Sequence, residues 1–353
     1  MYRKYLEPEY GGVAPEVEIM APQVMDMAHK KLWRQQSDYE SLAAMTAAYQ
    51  RCNIYPKVMS VMTEDILCDF GNGPFRVRVY QPPEESGKGL EEKKPVLVYY
   101  HGGSFSFNSI EVYEYVCRYL CMTGEMLVVA PDYHLAPEHP FPRGLGEAYQ
   151  TLRWAKEHVE DYGGDPENLN VGGDSSGGNF AAVVSMMARE RKGPDIKGQY
   201  LVYPLVCNRA EELTESEKRY GRGHFLEYRC TEDPMALYFT REEERKDPYA
   251  SPLLAEDLSG LPRACIVLAE CDPLLDQGLM YAAKLEDAGV PVECHVMKGM
   301  LHGFLNWTYG KSFEAMEYGA RFVRGQGKMQ KGTGGNANGD VDQRKKCTSP
   351  TRR

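Results

Sequence analysis

Ser175 sits at the centre of Gly173-Asp174-Ser175-Ser176-Gly177, directly after the short strand-like run 168–172 and before the small and apolar residues Phe180, Ala181, Ala182, Val183 and Val184. A serine hydroxyl becomes a usable nucleophile when it stands clear of its neighbours. A tight strand-to-helix turn achieves this by holding the serine in a strained backbone conformation, with glycines two before and two after to make room. The same turn starts a helix, so the backbone N–H of Ser176 and the positive end of the helix dipole can face an oxyanion developing on a substrate.

A second stretch could supply the rest of such an anion site. The continuous apolar run 95–100 ends in His101-Gly102-Gly103-Ser104-Phe105. Two glycines after a strand let backbone N–H groups approach a substrate oxygen with no Cβ in the way, so Gly102 and Gly103 are expected to complete an oxyanion hole with Ser176.

The elements that must position these residues alternate between strand and helix. Residues 15–55 carry apolar positions at helical spacing and read as two helices, the second started by the capping box Ser37 to Glu40. Residues 61–69 and 75–80 alternate around Gly71-Asn72-Gly73-Pro74, which predicts an antiparallel hairpin. Beyond it come strands at 95–100, 126–130, 168–172, 199–206, 264–269 and 290–296, with helices at 112–122, 145–161, after Ser175, up to 288, and at 312–324. Gly163-Gly164-Asp165-Pro166 is expected to end the 145–161 helix before the strand that carries Ser175. Uninterrupted apolar strands predict a sheet covered on both faces by helices.

Three motifs in this order carry a resemblance. They are His101-Gly102-Gly103 before Phe105, then Tyr133-x-Leu135-Ala136-Pro137-Glu138-His139-x-Phe141-Pro142, then Gly173-Asp174-Ser175-x-Gly177-Gly178. Together they make residues 61–325 resemble the hormone-sensitive-lipase-like branch of the α/β-hydrolase superfamily, which includes many bacterial carboxylesterases and the arylacetamide deacetylases. Two positions depart from the common pattern: Ser104 where a third glycine is usual, and His134 where arginine is usual. Neither removes an N–H, but the Ser104 side chain is expected to narrow the acyl site.

The resemblance implies a mostly parallel eight-stranded sheet flanked by helices, with a helical cap. It also implies a serine carboxylesterase acting through an acyl-enzyme, and the Ser104 side chain with lid segments at 15–55 and 208–247 narrows the expectation to short-chain acyl esters; the same triad serves amidases and deacetylases, and relatives that lost triad members serve as ligand receptors. Its chain order of Ser, acid, His places the acid after the 264–269 strand, where Asp272 matches. Glu270 is then read as a strand residue and Asp276 as the N-cap of the following helix. His302, in a His-Gly-Phe sequence after the last strand, is the expected base, whereas His134 and His139 in their Pro-rich segment are read as structural. No metal or organic cofactor is implied.

Composition sets the outer limits. With 353 residues and a net charge of -10 the chain suits one large domain with lids, and the charge argues against nucleic acid or an anionic membrane surface as partner. The N-terminal residues lack the apolar run of a signal peptide and no stretch approaches a membrane span, so the expected location is the cytoplasm. Ten cysteines without a Cys-x-x-Cys pair read as reduced packing residues, Cys117 and Cys121 among them, and no structural zinc is expected. The expected division is N-terminal cap helices (1–60), a first core part (61–207), a charged cap insertion with an apolar underside (208–247), a second core part (248–325) and a tail (326–353). That tail has seven Lys or Arg against two Asp and too few apolar residues to order itself. The expected partner is a small-molecule ester, and a homodimer is compatible with the sequence.

Overall fold

A computed structural model of the chain describes residues 12–14, 55–71, 73–83, 93–208, 213–226, 228, 237–307 and 310–325. The expected helices of 15–55, their capping box, and the tail from 326 lie outside the described residues.

Eight strands form one sheet: β1 Met62–Asp69, β2 Pro74–Gln81, β3 Lys94–Tyr100, β4 Leu127–Pro131, β5 Gly164–Asp174, β6 Ile196–Val202, β7 Arg263–Cys271 and β8 Val292–Leu301. Their order across the sheet is β1-β2-β4-β3-β5-β6-β7-β8. The hairpin β1–β2 is antiparallel as its turn residues predict, β2 runs against β4, and every pairing from β4 through β8 is parallel. Parallel neighbours need crossovers, which are supplied by the helices α1 Glu114–Gly124, α2 Arg143–His158, α3 Ser176–Glu190 and α5 Leu275–Asp287. A short helix α4, Glu215–Tyr220, lies in the 208–247 insertion, and α6, Gly310–Val323, follows β8.

The apolar strands bury both faces, and alternation along each strand divides the core. Val96, Val98 and Tyr100 of β3 join Leu152, Phe180 and Leu279 on one side, while Leu97 and Tyr99 join Val116, Leu120 and Met316 on the other. Each large aliphatic side chain so removed from water contributes about 1.5–3 kcal/mol, so burial on both faces stabilises the sheet that carries the site. Cys117 and Cys121 of α1 are packing residues as expected: both are buried, and burial pushes their thiols up.

Several boundaries differ from expectation, the last strand for one running to Leu301 rather than 296, and two of them bear on the site. The strand carrying Ser175 begins four residues early because Gly164 pairs with Lys94. The register then slips before Val96 meets Leu169, so Pro166 lies in the irregularity, where it withholds no ladder hydrogen bond. Strand β6 ends at Val202 rather than 206, because the backbone leaves the ladder at Tyr203, whose φ of 33° is in the left-handed region.

Candidate active site

The sites marked by the sequence meet at the carboxyl ends of the parallel strands, where open α/β sheets present their crevice. Ser175 follows β5, His101 to Phe105 follow β3, Asp272 follows β7 and His302 follows β8. Ser175 has φ 55° and ψ -119°, a conformation that costs on the order of 1–3 kcal/mol for a non-glycine residue and persists because the surroundings hold it. Those surroundings are specific. The Ser175 N–H donates to Val202 O at 2.9 Å, and Ser175 O accepts from Leu205 N–H at 3.1 Å and Asn179 N–H at 3.0 Å. A Cβ on Gly173 would stand 2.5 Å from Tyr100 O, and one on Gly177 would overlap the same carbonyl, so both flanking glycines are required by close approach to β3.

The three expected triad residues form an unbroken line. Ser175 Oγ is 2.9 Å from His302 Nε2, and His302 Nδ1 is 2.8 Å from Asp272 Oδ2. Asp272 is fully buried, His302 is 4% exposed and Ser175 8% exposed. The second oxygen of Asp272 accepts the Leu274 N–H at 2.8 Å, which fixes the plane of the carboxylate. The rival carboxylates are engaged elsewhere. Glu270, in β7 as expected, accepts from Lys298 Nζ at 2.8 Å and from Gly299 N–H at 2.7 Å.

Asp276 corrects an expectation. The helix begins at Leu275 with no side-chain cap, so Asp276 lies inside its first turn. There its Oδ2 accepts the Ser216 N–H of α4 at 2.9 Å, docking the insertion onto the core. The turn needs no second cap because Asp272 already holds the Leu274 N–H.

Gly102 requires a second correction. Its N–H donates to Asp174 Oδ1 at 3.0 Å and so is turned away from an oxyanion. Among the described residues, the amides of Gly103, Ser104 and Ser176 make no such hydrogen bond. Ser104 and Phe105 have φ 54° and 61°, next to Gly103 at 131°, so two non-glycine residues in a row hold strained backbone in this loop. Ser104 thus holds a left-handed position that suits glycine.

Sequence reasoning missed Asp174 as a structural centre. It is 2% exposed and accepts from Tyr99 Oη at 3.0 Å and Tyr113 Oη at 2.7 Å as well as from Gly102. Only its place beside Ser175 could have drawn attention, since its donors come from β3, the loop after it and the start of α1. Burial pushes its carboxyl up from the ordinary 3.8 to about 6, against the lowering pull of the two phenols. Because the folded-state value is raised, its contribution to stability is complete below pH 3.8 and is lost as pH rises through about 6. For activity the direction is opposite, since the ionised form is the one that accepts all three donors. We therefore expect kcat/KM to fall as pH drops through about 6, where Asp174 takes up a proton and stops accepting all three donors. An unchanged kcat/KM across that range would show that Asp174 ionisation is immaterial.

The other marked histidines serve packing. His134 Nδ1 is 2.8 Å from Glu147 Oε1, and its ring lies 4.4 Å from that of His139. His295 stacks on Tyr318 at 3.8 Å. Two further segments approach the site. Ala14 N–H donates to Gly299 O at 3.0 Å, three residues before His302. Within the insertion, Tyr238 is buried with its ring stacked on Phe105 at 3.9 Å, and Phe225 packs edge-on against Trp307.

Comparison with known proteins agrees with this architecture. Residues 97–306 match the model of an α/β hydrolase fold family. The chain is 39% identical over 240 residues to the carboxylic ester hydrolase LipN of Mycobacterium tuberculosis, covering 66% of this chain and 62% of that protein. It is 38% identical over 235 residues to the carboxylesterase NlhH of the same species, covering 66% and 72%. The solved hyperthermophilic esterase of the archaeon Pyrobaculum calidifontis superposes with a TM-score of 0.77 at 32% identity, over 89% of this chain and 99% of that one. By its motifs, its sheet and these relatives, the chain belongs to the hormone-sensitive-lipase-like branch of the α/β-hydrolase family.

Proposed function

We propose that this carboxylic ester hydrolase works through Ser175, His302 and Asp272, and that its substrates are short-chain acyl esters. The observation that carries the reading is the continuous contact from Ser175 Oγ through the imidazole to Asp272, at 2.9 and 2.8 Å. His302 Nε2 takes the hydroxyl proton as Ser175 attacks the ester carbonyl, while Asp272 holds the imidazole in the Nδ1–H tautomer and stabilises the imidazolium. The oxyanion is received by the amides of Gly103, Ser104 and Ser176, with the α3 dipole behind the last of these. The imidazolium then protonates the leaving alcohol, and the same nitrogen activates the water that hydrolyses the acyl-enzyme.

Crowding supports the limit on acyl length. Ser104 brings a side chain into the anion loop, and the insertion seats Tyr238 against Phe105 of that loop. We assign the described residues of the 208–247 insertion to a cap over Ser175. An acidic surface discourages adsorption to anionic lipid, and no helix among the described residues is long and apolar enough to cross a membrane. Among the described residues seven free thiols, six of them buried, suit a reducing compartment such as the cytoplasm.

The test is a series of p-nitrophenyl esters from acetate to palmitate, with an emulsified triglyceride and matched anilides. Each methylene buried in open space should gain about 0.8 kcal/mol, close to fourfold in kcat/KM, until overfilling costs more than it gains. We expect the maximum at roughly two to six carbons. A steady climb past ten carbons, or a jump on emulsification, would identify a lipase. Faster turnover of anilides than of esters would identify an amidase.

A further inference from the structure

We propose that Tyr203 is a positioning residue for proton transfer between Ser175 and His302, one side chain that keeps the serine turn and the histidine loop in register. The inference rests on the triad reading above and deepens it. Tyr203 is the residue at which the chain leaves β6, with its backbone at φ 33° and its N–H donating to Val267 O of β7 at 2.6 Å. Its backbone neighbours grip the nucleophile from both sides: Val202 O accepts the Ser175 N–H at 2.9 Å and Leu205 N–H donates to Ser175 O at 3.1 Å. Its side chain reaches the other partner. The phenol ring lies 4.6 Å from the His302 imidazole at 54° and 5.4 Å from Phe304, and its hydroxyl accepts the Leu305 N–H at 3.2 Å.

The 2.9 Å contact between Ser175 Oγ and His302 Nε2 is thus bridged at its back by a single buried residue in a conformation that a tyrosine does not choose unaided. Its N–H keeps one last hydrogen bond to β7, but its left-handed turn serves no further pairing, since the strand ends there. What it does serve is the angle at which the ring meets the imidazole and the path of the loop from His302 to Trp307. Reactions of this kind lose about 10²-fold for a misplacement near 1 Å, so the bridge has a kinetic consequence.

Three variants separate this role from plain packing. Tyr203→Phe keeps the ring and leaves the Leu305 N–H without its acceptor; kcat should fall about tenfold with KM within about twofold. Tyr203→Leu removes the wall as well, and kcat should fall about a hundredfold, again at nearly constant KM. Phosphonylation of Ser175 by a p-nitrophenyl phosphonate should slow by the same factors, because it uses the same proton transfer. Tyr200→Phe is the control: it lies three residues earlier, in β6, and loses a buried hydrogen bond of 2.9 Å to Ala315 O, so Tm should drop while kcat stays. If Tyr203→Leu does not fold, Tyr203→Phe decides alone. The proposal fails if the Tyr203 variants keep wild-type kcat, if KM rises while kcat holds, or if Tyr200→Phe loses kcat equally. Wild-type kcat in those variants with a dead Ser175→Ala would overturn the positioning role only; hydrolysis surviving in Ser175→Ala would overturn both readings.

Discussion

Ser175→Ala and His302→Ala are each expected to lower kcat by about 10⁴ or more, and the double variant to lose scarcely more than either alone, because the hydroxyl and the base act as a unit. The structure makes both substitutions clean. Alanine at 175 removes Oγ and leaves the N–H to Val202 O and the carbonyl to Leu205 and Asn179, so the strained turn keeps its backbone anchors. Alanine at 302 opens a space beside Tyr203 and leaves the Asp272 carboxylate with the Leu274 N–H as a remaining partner. A loss of stability is therefore expected for His302→Ala and little for Ser175→Ala, and Tm should be measured with kcat. The residue of activity, if any, should come from binding and the oxyanion amides alone. Ester hydrolysis within tenfold of wild type in a folded Ser175→Ala variant would show that a different nucleophile is at work.

What the sequence revealed and what it hid follow from the range of the interactions. Ser175 was legible because a nucleophile on a sharp turn needs glycines at fixed offsets, so Gly173 and Gly177 mark the turn whichever strand they then approach. The sheet was legible because strands buried on both faces are written as unbroken apolar runs such as 95–100 and 264–269. Gly102 was misread because its N–H competes for an acceptor 72 residues away, and nothing in a Gly-Gly turn says that Asp174 will be there first. Asp276 was misread for a similar reason: an acid near a helix start is a fair cap on local grounds, but Asp272 already holds the turn, and Ser216, 60 residues distant, takes the Asp276 oxygen. The end of β6 was overrun because residues 203–206 are as apolar as the strand before them. They leave the ladder to clamp Ser175, and that is a tertiary instruction with no local mark.

Asp272→Asn should cost about 10⁴ in kcat while leaving KM and the fold nearly intact. The reason lies in the two oxygens of the carboxylate. Oδ1 accepts the Leu274 N–H at 2.8 Å and Oδ2 faces His302 Nδ1 at 2.8 Å. An asparagine in this place has one oxygen to give, and the Leu274 amide, a fixed backbone donor in a buried turn, claims it. The NH₂ is then left facing Nδ1. Two donors cannot share that contact, so the imidazole must present Nδ1 as an acceptor and carry its proton on Nε2, aimed at Ser175 Oγ. In that tautomer His302 cannot take the serine proton, although the side chains barely move. Asp276→Asn provides the contrast, since its oxygen accepts the Ser216 N–H, which an amide oxygen also does. That variant should keep kcat within about threefold and lose at most about 1 kcal/mol of stability. Measuring kcat, KM and Tm for both variants tests the choice of acid directly, and a large loss at 276 with a small one at 272 would assign the acid to the wrong carboxylate.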